Sequence, residues 1–319
     1  MNVGPSSATA EQGRQRAVID LRGIALAMGG GICFALTPII AKKLQARGVS
    51  TVGLLLVRFA IAAGLLVGLR LLRPTPRTIP VRWGLVGFAI GFVGYVVETA
   101  CYFTALRHAS ASLVQMLLYA YPVIVTLMTA ALLRRRPGGV VLVCLVLAVG
   151  GAALSVGSVG KGALTGVLLA LGAAFTLSIS IVTASRASEH LGATDLTMLL
   201  MIGTAIAYGV VFVVVKVGGS RFPQPHFPSG ATSWALCLVL ATVSTVLAMT
   251  MFMAGVARLG PANASVVATV EPLTTALLSV AWLHETLRVG QLIGGAMIIG
   301  AVVTLSRGRP PQSDAEPKG

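Results

Sequence analysis

The sequence has 319 residues, of which 56% are hydrophobic and only 10% are charged, and its formal net charge is +15. Soluble domains carry about 25% charged residues, so the composition excludes an ordinary soluble domain and favours a chain surrounded mostly by lipid. The basic residues are scattered between apolar runs and aromatic residues are scarce. The positive charge therefore does not indicate nucleic-acid binding, and we interpret it as a signal of membrane topology.

The apolar residues form ten runs that are long enough to cross a membrane. A spanning helix needs about 20 mostly apolar residues, whereas the strands of a membrane barrel are about ten residues long and alternate in polarity. The ten runs are 22–41, 50–72, 83–106, 110–133, 138–157, 163–185, 194–216, 233–256, 262–283 and 288–305. Several separators are very short, so neighbouring helices should be antiparallel. The sequence predicts an all-α integral membrane protein with ten transmembrane helices.

Both termini are predicted to be cytoplasmic. The segments on the side of the N-terminus hold about twice as many Lys and Arg residues as those on the other side, and cytoplasmic loops are the more basic ones. Residues 1–21 and 306–319 are then cytoplasmic polar tails. Arg22 precedes the first run as in a signal peptide, but the polar residues before it favour a retained helix.

The chain contains an internal repeat. A shift of 150 aligns residues 105–151 with 255–301 without a gap and places Pro122 on Pro272, and a shift of 143 places Gly23 on Gly166. We predict two five-helix halves, residues 1–157 and 158–319. Because five is odd, the halves have opposite orientations in the membrane. Inverted repeats are typical of secondary transporters, which bind their solute near the midplane between the repeats.

Helices 2 and 3 each carry a charge inside the membrane. A charged side chain there costs about 2.5–3.5 kcal/mol on insertion scales, so pairing or function must offset that cost. Arg58 and Glu98 both lie about 12 Å from the outer ends of their helices at about 1.5 Å rise per residue. They can form a structural ion pair, or Glu98 can face a cavity and bind a cationic group or a proton. Both interpretations are open from the sequence.

Helix 3 also carries a polar and aromatic face. Tyr95, Glu98, Thr99 and Tyr102 recur at the spacing of one helical face. In an otherwise apolar helix such a face favours contact with water or solute over lipid. Tyr102 lies nearest the helix end and can equally belong to an interfacial aromatic girdle.

The repeat also pairs polar residues. Thr37 aligns with Ser180, Gln115 with Ser265, and Tyr119 with Thr269. Singly, each Ser or Thr is expected to bond its own helix backbone, but as symmetric pairs the six are predicted to line a cavity. Pro122 and Pro272 follow on helices 4 and 9 and should kink them, because proline removes one backbone donor and frees a carbonyl one turn earlier.

Glu271 lies near the midplane and directly precedes Pro272. A carboxylate beside a freed carbonyl can bind an ion, a proton or a solute. Equally, it can serve as a structural acceptor for a nearby donor. The sequence supports both interpretations.

The remaining reactive residue types indicate no catalytic or metal site. The four cysteines lie in apolar runs, and the histidines have no zinc-ligand spacing. No Ser-His-Asp set, paired carboxylate motif or phosphate loop appears. We therefore expect no cofactor, no metal and no enzymatic activity.

Short motifs along the chain resemble the EamA-type members of the drug/metabolite transporter superfamily. They are Arg58-Phe59, Ala105-Leu106, Tyr121-Pro122-Val123, Gly260-Pro261-Ala262, Glu271-Pro272-Leu273, and Glu285 with Gly294 and Gly300. The resemblance implies ten helices in two repeats, a bacterial inner-membrane location and a transported metabolite or drug. The acidic residue that the family often has at the end of helix 4 is replaced here by Arg135, the counterpart of Glu285.

The sequence thus predicts a secondary transporter that moves a small metabolite, such as an amino acid, by alternating access. The resemblance alone implies export, and either buried acid permits proton coupling. Efflux of organic cations, with tyrosines as cation–π partners, is the alternative within transport. A membrane scaffold or sensor is the alternative outside it, although no soluble signalling domain is apparent. The expected partners are a small solute, the lipid bilayer and protons, but not nucleic acid, and the expected state is a monomer or homodimer.

Overall fold

The computed structural model describes residues 20–72, 78–132, 134, 138–157, 164–219 and 224–307, except for the side chains of 156, 157, 260–263, 265, 266, 306 and 307. Within these ranges all regular structure is helical, which confirms the predicted all-α class. Among the described residues, seven helices are long and apolar enough to cross a membrane, and three shorter apolar helices bring the number to ten.

The helices agree closely with the apolar runs, and short polar caps begin several of them. They are α1 (Leu21–Ala46), α2 (Thr51–Leu71), α3 (Val81–His108), α4 (Ala111–Leu132), α5 (Gly139–Gly157), α6 (Leu164–Ser188), α7 (Ala193–Val217), α8 (Gly230–Ala241 and Ala248–Ala268), α9 (Val270–Leu283) and α10 (Val289–Arg307). The Ser50 hydroxyl accepts from the Gly53 amide at 3.1 Å and so caps α2. Asp20 caps α1 in the same way, and the hydrogen bond from the Gly23 amide lowers the pKa of Asp20.

Equivalent helices of the two halves are interrupted at equivalent places. A π-helical turn interrupts α3 at Ile90–Tyr95 and α8 at Thr242–Leu247. Regular α-helix also stops at Tyr119–Ala120 in α4 and at Thr269 between α8 and α9, shortly before the two repeat prolines. Proline lacks the amide that would continue the ladder, which explains both breaks.

The chain reverses direction between Leu259 and Val270, as the predicted boundary at residues 257–261 between helices 8 and 9 requires. A Cβ atom on Gly23, near the start of α1, would contact Leu259, whereas one on Gly31, further along α1, would contact Val270. Helical backbone nevertheless continues through residues 257–261 to Ala268, and the short α9 begins after the break at Thr269.

The helix packing is symmetric between the halves. Helix α1 packs along α8, as α6 packs along α3, and α1 contacts α9, as α6 contacts α4. The pairs α2–α7 and α5–α10 each join one helix of the first half to its counterpart in the second. Exchanging helices 1–5 with 6–10 leaves these contacts unchanged. The predicted boundary at 157/158 adjoins residues 158–163, which lie outside the described residues.

The pair α5–α10 shows why small residues are needed at helix crossings. A Cβ atom on Gly151 would lie 2.5 Å from the Gly294 carbonyl oxygen, and one on Gly294 would collide with the Gly151 carbonyl. Backbone therefore meets backbone, as at other small-residue crossings in membranes.

Glu285 fastens the end of the bundle opposite Leu21. Its carboxylate accepts from the Ala111 amide at 2.9 and 3.0 Å and forms an ion pair with Lys42 at 2.9 Å. An anion is favourable there because the first amides of α4 have no partner within the helix. Its counterpart Arg135 lies outside the described residues.

Candidate functional site

One cavity of about 140 Å³ lies where helices of both halves meet, and only α5 and α10 do not contribute to its described lining. Its lining combines charged, hydroxyl, amide, aromatic and apolar side chains. They are Phe34, Thr37, Arg58, Phe59, Tyr95, Glu98, Thr99, Tyr102, Phe103, Gln115, Leu118, Leu177, Met201, Thr245, Met249 and Glu271.

Most of the predicted cavity residues lie in this lining. Those present are Thr37, Tyr95, Glu98, Thr99, Tyr102, Gln115 and Glu271, and the predicted structural residue Arg58 is also there. The face predicted on α3 is thus brought to the cavity in full. Within the described chain no group of three metal-ligating side chains occurs.

Three predicted cavity residues have other positions. Tyr119 lies behind Glu271, and Thr269 forms the turn between α8 and α9. Ser180 is buried against α3, where a Cβ atom on Gly94 would lie 2.5 Å from its hydroxyl oxygen. That packing, rather than the cavity, explains the small residue at position 180. The Ser265 side chain lies outside the described residues.

Arg58 and Glu98 face the same cavity but do not form the ion pair that one interpretation expected. The Arg58 Nε donates to the Thr245 hydroxyl at 2.9 Å, which links α2 to α8. Its guanidinium carbon lies 5.2 Å from the ring centroids of both Phe59 and Phe103. These contacts hold the guanidinium away from the Glu98 carboxylate, and no described salt bridge joins the two.

Glu98 lacks the partners that usually accompany a buried carboxylate. It is 7% exposed and lines the cavity, and no described side chain or amide donates a hydrogen bond to it. Arg58 remains its electrostatic partner across the cavity. Such a pair of opposite, separated charges can receive a solute that carries both signs.

Glu271, by contrast, is held by hydrogen bonds. The Gln115 amide donates to its carboxylate at 2.7 Å, and the Tyr119 hydroxyl lies 2.9 Å from the second oxygen. The Tyr102 hydroxyl donates to the Gln115 carbonyl oxygen at 2.5 Å. This network joins α3, α4 and α9, so it connects the two halves through the wall of the cavity.

Tyr119 also compensates for the break before Pro272. The Ala268 carbonyl is the group that loses its helical partner because proline has no amide hydrogen. The Tyr119 hydroxyl lies 2.8 Å from this carbonyl oxygen. The first half thereby satisfies a backbone group of the second half beside Glu271.

The sequence interpretation missed Tyr208 and Thr245. The Tyr208 hydroxyl lies 2.8 Å from the Thr99 hydroxyl and donates to the Val96 carbonyl at 3.0 Å. Its ring stacks parallel to Phe59, with 6.0 Å between centroids. Tyr208 could have been predicted from the sequence, because a tyrosine inside an apolar helix is unusual. Thr245 could not, because the sequence does not reveal the π turn that contains it.

Comparison with known proteins identifies the family of the chain. The chain matches the EamA-like transporter family over residues 21–157 and 164–307. A protein of Archaeoglobus fulgidus described as an uncharacterized transporter is 29% identical over 129 residues, which are 34% of this chain and 48% of that relative. The match thus spans about half of that relative's length.

A solved crystal structure has the same fold. It superposes with a TM-score of 0.62 at 17% identity and covers 89% of this chain and 97% of the other. The two family matches together cover nearly all of the helical chain. The family description is that of transporters, and the apolar helices of this chain need the lipid bilayer around them. The chain therefore belongs to the EamA-like transporter family and is a multi-pass membrane protein.

Proposed function

We propose that this transporter carries a small zwitterionic metabolite, with amino acids as the first candidates, and exports it by alternating access. The observation that carries the proposal is the pair of separated opposite charges, Arg58 and Glu98, in one cavity. An α-amino acid presents a carboxylate and an ammonium group a short distance apart. Its carboxylate fits a guanidinium, which binds carboxylates with two parallel hydrogen bonds, and its ammonium fits Glu98.

The size of the cavity favours a small solute. Pockets for drug-sized ligands occupy about 300–1,000 Å³, whereas this cavity measures about 140 Å³. Phe34 and Phe103 also line the cavity, so we expect a solute with a modest apolar side chain to be favoured over one with a bulky side chain.

Efflux of organic cations is the second candidate, because Tyr95, Tyr102 and the phenylalanines offer cation–π contacts. Arg58 argues against it, since a buried guanidinium repels a permanent cation. A compound that carries an ammonium but no carboxylate separates the two candidates.

The proposal includes an orientation and a location. The basic bias of the loops favours cytoplasmic termini in a bacterial inner membrane. We further propose that the halves 1–157 and 158–319 form one complete pathway within a monomer or each subunit of a homodimer, without enzymatic activity. The symmetric helix contacts support that division.

Glu98 is also the proposed proton carrier. A carboxylate without a fixed donor can exchange a proton for a solute ammonium during the cycle, whereas Glu271 already accepts from the Gln115 amide and lies 2.9 Å from the Tyr119 hydroxyl. Proton movement opposite to the solute is then expected in native vesicles and not in Glu98→Gln, which we would follow with a pH-sensitive dye.

The test begins with mass spectrometry of the medium from cells that overproduce the protein. Any metabolite that accumulates outside is then assayed by counterflow in proteoliposomes. Glu98→Gln and Arg58→Gln are each expected to reduce the exchange at least tenfold, since a lost charge-assisted hydrogen bond is worth about 1.5–3 kcal/mol.

Glu189→Gln is the matched control, because Glu189 is an exposed acid on the loop after α6 and should leave exchange unchanged. If both cavity variants insert normally and exchange at the native rate, the zwitterion proposal is wrong. If a decarboxylated amine is carried as well as its parent amino acid, organic-cation transport is the better description.

A further inference from the structure

A second cavity lies at the end of the bundle that contains the start of α1. It measures about 280 Å³ and lies between α2, α7 and α8. We call it the vestibule and define it by Leu66, Thr197, Met249, Thr250, Met253 and Ala254. Leu66 lies near the end of α2 and Thr197 near the beginning of α7, so the vestibule opens on the side of Leu21, Leu71 and Ala193.

The vestibule and the central cavity share one side chain. Met249 belongs to the lining of both, and it lies in α8 one turn beyond Thr245, the partner of Arg58. A methionine there is an unbranched, flexible side chain that can change its rotamer without a change of backbone. Met249 therefore lies between the deep end of the vestibule and the central cavity.

On the opposite side of the bundle, side chains fill the position that is equivalent to the vestibule. The helix starts Thr51 and Ala193 align α2 with α7 at a shift of 142, which pairs Leu66 with Tyr208. The repeat shift of 150 pairs Met249 with Thr99. Tyr208 and Thr99 are hydrogen-bonded at 2.8 Å, and Tyr208 is 2% exposed.

The two ends of the bundle therefore differ at symmetry-equivalent positions. On one side a tyrosine and a threonine close the space between α2, α3 and α7 with a hydrogen bond and a ring stack on Phe59. On the other side the equivalent Leu66 and Met249 can form no such bond, and a cavity is present. The vestibule thus lies where the Tyr208–Thr99 hydrogen bond has no counterpart in the other half.

We propose that the vestibule is the route between the central cavity and the cytoplasm, and that Met249 is the residue that controls passage between them. The inference rests on the proposed transport function for its direction. Its geometry does not depend on the identity of the solute.

The test measures access to introduced thiols in a protein whose four native cysteines are replaced by serine. Thr250→Cys reports on the vestibule and Leu177→Cys on the central cavity. Leu277→Cys, at an exposed apolar position of α9, is the control for lipid-facing sites. A membrane-impermeant methanethiosulfonate reagent is applied to inside-out and to right-side-out vesicles.

We expect Thr250→Cys and Leu177→Cys to react from the cytoplasmic side and Leu277→Cys not to react. Met249→Trp should slow the reaction at Leu177→Cys by about tenfold or more, because the rate follows access to the thiolate, and should leave Thr250→Cys unchanged. In the native-cysteine protein, Met249→Trp should abolish flux and Leu277→Trp, at the exposed position of α9, should preserve it, with equal thermal stability.

An unreactive Thr250→Cys on the cytoplasmic side would overturn the proposal and make the vestibule a lipid-filled cleft. Equal reaction of Leu177→Cys with and without Met249→Trp would remove Met249 from the route. Because labelling needs no transport, the expected pattern together with absent amino-acid flux would refute the substrate proposal and leave this one intact.

Discussion

The buried charges of the central cavity differ in how completely they are partnered. Glu271 accepts from the Gln115 amide and shares the Tyr119 hydroxyl with the Ala268 carbonyl, and Arg58 donates to Thr245. Glu98 has none of these described donors. A membrane provides no water to compensate an unpaired charge, so Glu98 is the position where solute or proton binding gains most.

Substitution of Tyr119 can test whether its hydroxyl replaces the backbone hydrogen bond that Pro272 cannot donate to the Ala268 carbonyl. Tyr119→Phe removes the hydroxyl 2.8 Å from the Ala268 carbonyl and is expected to cost about 1 kcal/mol, the order measured for hydrogen bonds between membrane helices. In a Pro272→Ala background residue 272 has an amide for that carbonyl, so the same substitution should cost less. Unfolding midpoints in detergent for the four proteins give the coupling.

The control is Tyr121→Phe, since the Tyr121 ring contacts Tyr119 but its hydroxyl makes no described hydrogen bond. Equal costs of Tyr119→Phe in both backgrounds would mean that the hydroxyl serves only Glu271.

At the scale of helices, the bundle depends on close crossings and on well-capped ends. The pair α5–α10 makes no contribution to the described lining of either cavity, so its crossing at Gly151 and Gly294 is an opportunity to alter stability without altering the site. Helix α4, which supplies Gln115 and Tyr119, begins at amides that Glu285 caps.

Gly294→Ala should destabilise the protein by about 1–3 kcal/mol, the usual cost of overpacking, because the new methyl group meets the Gly151 carbonyl. Gly300→Ala on the same helix is the control, since its Cβ atom would meet nothing within 4 Å. Thermal unfolding in detergent measures both. Similar midpoints for the two variants would contradict the crossing.

Glu285→Ala should lower stability by about 0.5–2 kcal/mol through loss of the α4 cap. Lys42→Ala should cost less, because Lys42 forms one contact with Glu285 whereas the amides of α4 supply several. The same unfolding assay checks the order of the two variants. A larger loss for Lys42→Ala would show that the ion pair, and not the cap, stabilises this end.

At the scale of the whole molecule, the two proposed halves contribute different side chains to one cavity. The first half contributes Arg58, Glu98 and Gln115 to the central cavity, and the second contributes Thr245, Met249 and Glu271. Symmetric helix positions therefore carry different side chains. This permits one side of the bundle to close by a tyrosine while the other retains the vestibule.

The orientation of the bundle can be measured directly. A green fluorescent protein fused to the C-terminus should fluoresce, and an alkaline phosphatase fused there should be inactive, because both termini are predicted to be cytoplasmic. Fusions after residue 219, between α7 and α8, should give the opposite result. The reverse pattern would place the vestibule on the outer side.

Much of the fold follows from local sequence. Apolar runs of about 20 residues must become helices in a bilayer, since each backbone amide then finds its partner within the segment. Pro122 and Pro272 break their helices because no fold can restore their missing amide hydrogens. The polar face of α3 could also be predicted from the sequence, because residues three and four apart lie on one side of a helix.

The partner of each charge was decided by tertiary structure. Equal depth in consecutive helices permitted either an Arg58–Glu98 pair or a Glu98 that faces a cavity. In the structure the Arg58 side chain donates to the Thr245 hydroxyl, which lies in the π turn of α8 and is distant in sequence. The roles of Tyr208 and Met249 were likewise invisible, because they depend on which helices meet. Sequence alone determined the helices, their repeat and the residues that membrane burial makes costly. The tertiary structure alone decided how these residues are paired and where the bundle is open, because those properties arise from contacts between helices.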